Sequence, residues 1–211
     1  MGTPGRLSSQ NADLHFSGGN LLLNDNLDMG GTQTAFNDAS VLQLNQALQV
    51  TGNYSQSANG MLQIGVAGNA RTAGAISTDT GYGRLVVSGN SYVAPGSTIA
   101  LQSLGYRFAA GQRYVVIDTA GTATYNASSL VYRVNGSTTL DASGAEVANG
   151  THKNLVVTLA NGTGSNNGSG NGGGTGSTGG AGSTGGTGGT GGNGGSPEAG
   201  NGSNSGGLPA F

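Results

Sequence analysis

The stretch ALQVTGNYSQSANGMLQIGV, residues 47–66, carries the pattern that decides the fold. Leu48 and Val50 alternate with polar neighbours, and Gly52-Asn53 interrupts the run. Asn59-Gly60 marks a turn before M-L-Q-I-G-V, which resumes a period close to two from Leu62. Short alternating runs punctuated by Gly and Asn read as half-buried strands. The segment upstream, L-Q-L-N-Q-A-L-Q-V, is the nearest thing to an amphipathic helix in the chain. It also alternates almost perfectly, so residues 39–50 read as strand.

Further strands are expected at 21–23, 27–29, 41–44, 84–88, 91–93, 98–102, 113–118, 130–134 and 154–159. Turn residues separate them, among them Gly18-Gly19-Asn20, Gly30-Gly31, Gly89-Asn90, Pro95-Gly96 and Asn149-Gly150. The class is all-β.

Composition narrows the function classes. The 211 residues hold 44 glycines and no cysteine or tryptophan, and charged residues make up 8%. Seven Lys/Arg against nine Asp/Glu give a net charge of −2, so no basic patch for nucleic acid can be assembled. Without cysteine there is no disulfide framework and no thiolate-ligated metal. No apolar run approaches the roughly 18 residues of a membrane-spanning helix, so no transmembrane segment is expected. The first twenty residues contain no apolar core of a signal peptide.

The glycines are unevenly placed. Residues 162–207 contain 23 of them, with Ala181 and Ala199 as the sole apolar side chains and Glu198 as the sole charge. Such a stretch cannot bury enough apolar surface to offset its backbone entropy. Residues 162–211 are therefore expected to form a disordered Gly/Ser/Thr/Asn linker or tail, with a reach of about 35–40 Å. The body, residues 1–161, retains 67 apolar residues but just 15 charged ones, so its surface must consist of Asn, Gln, Ser, Thr and Gly. Neutral polar side chains of this kind can stack in ladders between successive strands.

Short strands every 10–20 residues, low charge, and Asn or Gly at the corners (Asn20, Asn24, Asn26, Asn45, Asn53, Asn59) favour a right-handed parallel β-helix. Rungs of about 20–25 residues would give roughly six or seven coils. The pattern alone leaves a β-sandwich open.

The residues also carry a family resemblance. Gly52, Asn53, Tyr54, Gln56, Gly60, Leu62 and Ile64 fit a "G-N-Y-x-Q-x-x-x-G-x-L-x-I" segment, and Tyr82, Leu85, Val87 and Gly89 fit "Y-x-x-L-x-V-x-G". Farther on, F-A-A-G-Q-R-Y-V-V-I at 108–117 resembles a "G-x-x-Y-x-V-L" rung. In this order the three motifs resemble the carboxy-proximal passenger region of pertactin-like autotransporters, over roughly residues 39–160. The resemblance implies a β-helical stalk exported to the bacterial surface by type V secretion through an outer-membrane β-barrel translocator. It also implies an autochaperone role, in which the carboxy-proximal rungs fold early and template the rest. The residues that would carry this are Tyr54, Leu62, Ile64, Leu85, Val87, Tyr114 and Val116. Part of an adhesin or virulence factor is the setting it suggests, with an unidentified host ligand.

The chain departs from the family in one respect. No ten-residue alternating strands of a membrane barrel follow Asn161, and Phe211 has no such strand before it. The expectation is a passenger remnant with its linker, and a truncated gene fragment is the blander alternative.

Enzymatic readings find little support in the residues. The histidines are His15 and His152, and there is no Gly-x-Ser-x-Gly elbow. A carbohydrate-active β-helix would need clustered carboxylates, and convergence of Asp13, Asp25, Asp28 and Asp38 on one face would supply them. Asp25 and Asp28 alone lack the ligand spacing of a calcium loop. No catalytic residue, metal or cofactor is assigned. For recognition the candidate is the insertion GNARTAGAISTDTGYG, residues 68–83, with Arg71, Thr72, Asp79 and Tyr82.

Overall fold

The computed structural model describes residues 4–72 and 75–162. Strands come in recurring sets of three. After β1 (Arg6–Ser8) come β2 (Leu14–Phe16), β3 (Asn20–Leu23) and β4 (Asn26–Asp28), then β5 (Thr34–Asn37), β6 (Val41–Leu44) and β7 (Ala47–Thr51). The third set is β8 (Asn53–Gln56), β9 (Met61–Arg71) and, after the added strand β10 (Thr80–Tyr82), β11 (Arg84–Val87). The fourth is β12 (Ser91–Val93), β13 (Thr98–Leu104) and β14 (Arg113–Thr119). The chain continues through β15 (Ala123–Thr124) and β16 (Val131–Asn135) into β17 (Leu140–Asn149) and β18 (His152–Asn161).

Each member of a set goes to a different sheet. One sheet has the order β2-β5-β8-β12-β15, and a second has β3-β6-β9-β13-β16, with β10 antiparallel to β9. The third has the order β1-β4-β7-β11-β14-β18-β17, parallel as far as β14 and then antiparallel. The fold is all-β with parallel sheets. Each parallel path holds five strands, not six or seven. Register explains the difference: Leu14, Ala35, Tyr54, Ser91 and Ala123 stand opposite one another in succession, at spacings of 21, 19, 37 and 32 residues. The two long spacings absorb the arm around β10 and the segment between β13 and β14, which add residues without adding layers.

Parallel register brings inward residues into columns. Leu21, Leu42, Leu62, Ile99 and Tyr132 form one, and Leu7, Leu27, Val50 and Val87 another. Within a column, burial depends on having a layer on both sides. Leu62 is 0% exposed and Leu27 2%, whereas Leu21 and Leu7, in the first strands, are 37% and 45% exposed. Full burial of a Leu is worth about 1.5–3 kcal/mol, so the first layer gives up much of what later layers gain. At the opposite end β18 lies against β14 and β17 covers β18.

Where layers meet at a corner, the backbone comes too close for a side chain. Gly52 has φ +128°, and a Cβ there would lie 2.7 Å from Met29 Cβ and 2.8 Å from the Gln33 carbonyl oxygen. Gly83 abuts the Leu44 carbonyl in the same way. The linker expected over 162–211 lies outside the described residues apart from Gly162, whose N–H donates to Thr139 O at 2.8 Å.

These contacts lead to a graded expectation. Gly52→Ala should cost about 3 kcal/mol, the sum of backbone strain and overlap. Gly19→Ala, with φ +82° but nothing within 4 Å, should cost about 1 kcal/mol. Urea unfolding of the two variants measures both, and equal losses would contradict the corner geometry.

Candidate functional site

The motif residues around β8 form a staple between layers. Asn53 faces outward at a corner, donating through Nδ2 to Thr32 O at 2.9 Å and accepting the Asn90 N–H on Oδ1 at 2.8 Å. Tyr54 points inward and its hydroxyl donates to Gln56 Oε1 at 2.7 Å. Gln56 is itself inward and fully buried, and its Nε2 donates to Gly60 O at 3.3 Å and Thr98 O at 3.2 Å. One layer earlier Asn37, opposite Gln56, donates to Met61 O at 3.1 Å and accepts the Ser40 N–H at 3.0 Å. Two buried amides thus tie β5 and β8 to the sheet that follows them, and the bonds satisfy their polar atoms. A Cβ on Gly60 would lie 2.7 Å from Asn37 O, which accounts for the motif's last glycine.

A second staple joins the arm to β14. Arg113 sends Nη1 to Asp79 Oδ2 at 2.8 Å and Nη2 to Oδ1 at 3.4 Å, a two-point contact. The Tyr82 hydroxyl donates to Asp79 Oδ2 at 2.9 Å and accepts the Val115 N–H at 3.2 Å. Around it the rings of Tyr82, Tyr106, Phe108 and Tyr114 meet edge to face, with centroids 5.5–6.5 Å apart. Gln112 accepts from the Tyr114 hydroxyl at 2.9 Å and donates to the Tyr106 hydroxyl at 3.0 Å.

A third polar chain lies inside the last layers. Tyr125 Oη is 2.7 Å from both Thr119 Oγ1 and the Lys153 carbonyl oxygen. A phenol has one proton and a carbonyl can only accept, so Tyr125 donates to Lys153 and accepts from Thr119. Thr119 in turn takes its bond from Ser91 Oγ at 2.6 Å. The chain runs from β12 through β14 to β18. Burial pushes the phenols of Tyr54, Tyr82, Tyr114 and Tyr125 well above the usual tyrosine range.

The residues singled out from sequence fall into two groups. Tyr54, Leu62, Ile64, Leu85, Val87, Tyr114 and Val116 are all buried in these layers. In the insertion, Arg71 is exposed, but Thr72, Asp79 and Tyr82 are buried and turned to the body, so they anchor the arm. Between them, residues 73–74 lie outside the described residues. The acids do not gather. Asp13 accepts the Thr34 N–H, Asp25 the Gly5 N–H and Asp28 the Gly30 N–H. Asp28 also pairs with Arg6, and Asp38 with His15 at 2.8 Å. His152 pairs with Asp118 at 2.7 Å. Among the described residues no three His, Asp or Glu side chains could hold one metal ion, and no helix is long and apolar enough to cross a membrane.

Sequence reasoning missed Asn37, Asp79's partner Arg113, and the Ser91–Thr119 pair. Asn37 had a signal: A-F-N-D-A-S at 35–40 repeats the inward-outward-inward pattern of Y-S-Q-S-A-N at 54–59, one layer earlier. The other pairs join residues 28–34 positions apart, and no local pattern marks them. The chain matches no known protein family and no curated protein.

Two measurements check the staples. Tyr54→Phe leaves Gln56 Oε1 without its donor and should cost about 1–2 kcal/mol, while Gln56→Leu takes the acceptor from the buried Tyr54 hydroxyl and a donor from Thr98 O and should cost about 2–4 kcal/mol. In urea unfolding the double variant should lose less than the sum, because both remove the Tyr54–Gln56 bond; strict additivity would contradict it. Second, the four buried phenols stay protonated in the fold at a pH where they ionise in the unfolded chain. Their stabilisation is therefore complete below about pH 10 and is lost as pH rises above it, by about 1.4 kcal/mol per tyrosine per pH unit. With Lys153 as the one lysine, the tyrosines dominate that range. The urea midpoint should be level from pH 8 to 9.5 and fall steeply beyond; a level midpoint to pH 11.5 would contradict the burial of these hydroxyls.

Proposed function

We propose that this chain is a carboxy-proximal passenger segment of a type V autotransporter, wound as a right-handed parallel β-helix. In this reading its last layers template the folding of those before them during export through an outer-membrane β-barrel translocator. The site of action is the bacterial surface, and the role is structural display, in the setting of an adhesin or virulence factor.

The observation that carries the reading is the difference between the two ends. On the carboxy side, β18 and β17 extend the third sheet in antiparallel sense, and the Tyr132 ring lies against Gly144 of β17. β17 presents Asp141 and Glu146, charges of the kind that blunt a sheet edge. On the amino side, β1, β2 and β3 are the edge strands of three sheets, and Leu7, Leu21 and Leu22 are exposed there. At the carboxy end the edge strands are β15, of two residues, β16, against which β17 packs, and the largely exposed β17, so the apolar columns stand open on the amino side and a stack of this kind extends in that direction. The connections between parallel neighbours favour the right-handed sense, as crossovers between parallel strands of a sheet almost always do.

Nucleation belongs where the long-range anchors concentrate. The Asp79–Arg113 pair, the tyrosine cluster and the Ser91–Thr119–Tyr125 chain all lie in the third layer or beyond. Refolding kinetics of the full chain test this. Leu85→Ala and Val116→Ala should slow refolding nearly in proportion to the stability they remove, with φ above about 0.5. Leu27→Ala should chiefly speed unfolding, with φ below about 0.3. The opposite order would overturn the template role.

A further inference from the structure

The geometry points to the cavity between the arm and the start of β11 as a binding site for a small monocarboxylate with an apolar body. This inference does not rest on the export reading. The cavity has a volume of about 300 Å³. Thr80 and Tyr82 wall it from the arm, and Gln46, Ala47 and Arg84 from the sheet. Such a volume is at the small end of the range for small-molecule sites.

Arg84 is the reason to expect an anion. Arg6, Arg113 and Lys153 each pair with a carboxylate, and Arg71, Arg107 and Arg133 are exposed to water. Arg84 is half-buried, lines the cavity, and makes no side-chain hydrogen bond or ion pair. A guanidinium held partly out of water and left unpaired is costly, and a carboxylate matches its planar fork in charge and geometry. Gln46 cannot supply the missing acceptor by swinging free, since its Nε2 is held by Asn24 O at 3.1 Å.

Local charge sets the valence of the ligand. Asp79 is the one acid on the wall, and it is already taken by Arg113 and Tyr82. Asp79 and Arg113 cancel, leaving the single positive charge of Arg84. A dianion such as phosphate would bring its second charge toward the Asp79 carboxylate. The Ala47 methyl and the Tyr82 ring offer apolar surface for the rest of the ligand, and the Thr80 hydroxyl, which has no side-chain partner, is a second donor. The insertion marked for recognition thus contributes a wall, and the charge comes from Arg84 just beyond it.

The test is a titration of the ¹⁵N-labelled full chain with benzoate, benzamide and inorganic phosphate at constant ionic strength. Benzoate should give saturable shifts at the Arg84 Nε–H and at the Thr80 and Gly81 amides, with benzamide and phosphate at least about tenfold weaker. Arg84→Gln should weaken benzoate by at least about tenfold. Ala47→Trp, at an exposed position of β7, keeps Arg84 and fills the cavity, and should abolish those shifts. Comparable binding of benzamide would overturn the need for charge, and comparable binding of phosphate would overturn the monocarboxylate. Unchanged benzoate affinity in either variant would overturn the site. Should Arg84→Gln lose its dispersed spectrum, Ala47→Trp decides alone.

Discussion

In this protein the backbone of each strand finds its hydrogen-bond partners in the layer before and the layer after, and the rest of the structure depends on that constraint. A layer of three or four residues per strand cannot bury its leucines alone. Leu42 and Leu62 are buried because each has a neighbour above and below, and Leu21 in the same column is exposed because it has one. Stability is therefore shared between layers. Corners are fitted as closely as the columns, which is why Gly52, Gly60 and Gly83 stand where any Cβ would meet the backbone or side chains of another layer.

Register stacking also accounts for the scarcity of charge. Strands in a sheet lie about 4.8 Å apart, so a charged residue repeated in one column would face its like at close range. Amides do not repel one another. On the outer face of the second sheet Gln63 donates to Gln43 at 3.1 Å, and Asn135 donates to Gln63 at 3.3 Å and Gln102 at 3.2 Å. Inside, Asn37 and Gln56 serve the same end by satisfying corner carbonyls that water cannot reach. Some of the charges that are kept pair across layers, as in Arg6–Asp28 and Arg113–Asp79.

The arm departs from the repeat and concentrates chemistry in one place. Its anchor is a carboxylate almost without solvent access, held by a guanidinium and a phenol, so removing one partner leaves a buried charge unpaired. That rigid footing separates β10 from the outer edge of β11 and leaves Arg84 beside a cavity. Tyr82 would then serve both the anchor and the cavity wall, while the charge comes from Arg84 beyond the insertion.

Local pattern alone determined the all-β class and most strand positions. Residues 41–44 and 91–93 are strands over the expected span, and 39–50 holds two strands, β6 and the start of β7, broken at 45–46, and no helix, because alternation and turn residues act over a few positions. It did not reveal β1, β2, β5, β10, β15 or β17. β1, β2, β10 and β15 have two or three residues, β5 turns Ala35 and Asn37 inward and Phe36 outward, and β17 is a largely exposed edge with no inward apolar series. The family motifs marked Tyr54, Gln56 and Tyr82, yet what those side chains bind was decided by tertiary structure, since their partners Thr98 and Val115 lie 33–42 residues away. The same holds for Asp79, which a surface loop would leave in water and the fold buries, and for Arg84, which nothing local distinguishes. Hydrogen bonds across layers join positions whose separation depends on how many residues each insertion adds, and a linear pattern carries no record of that.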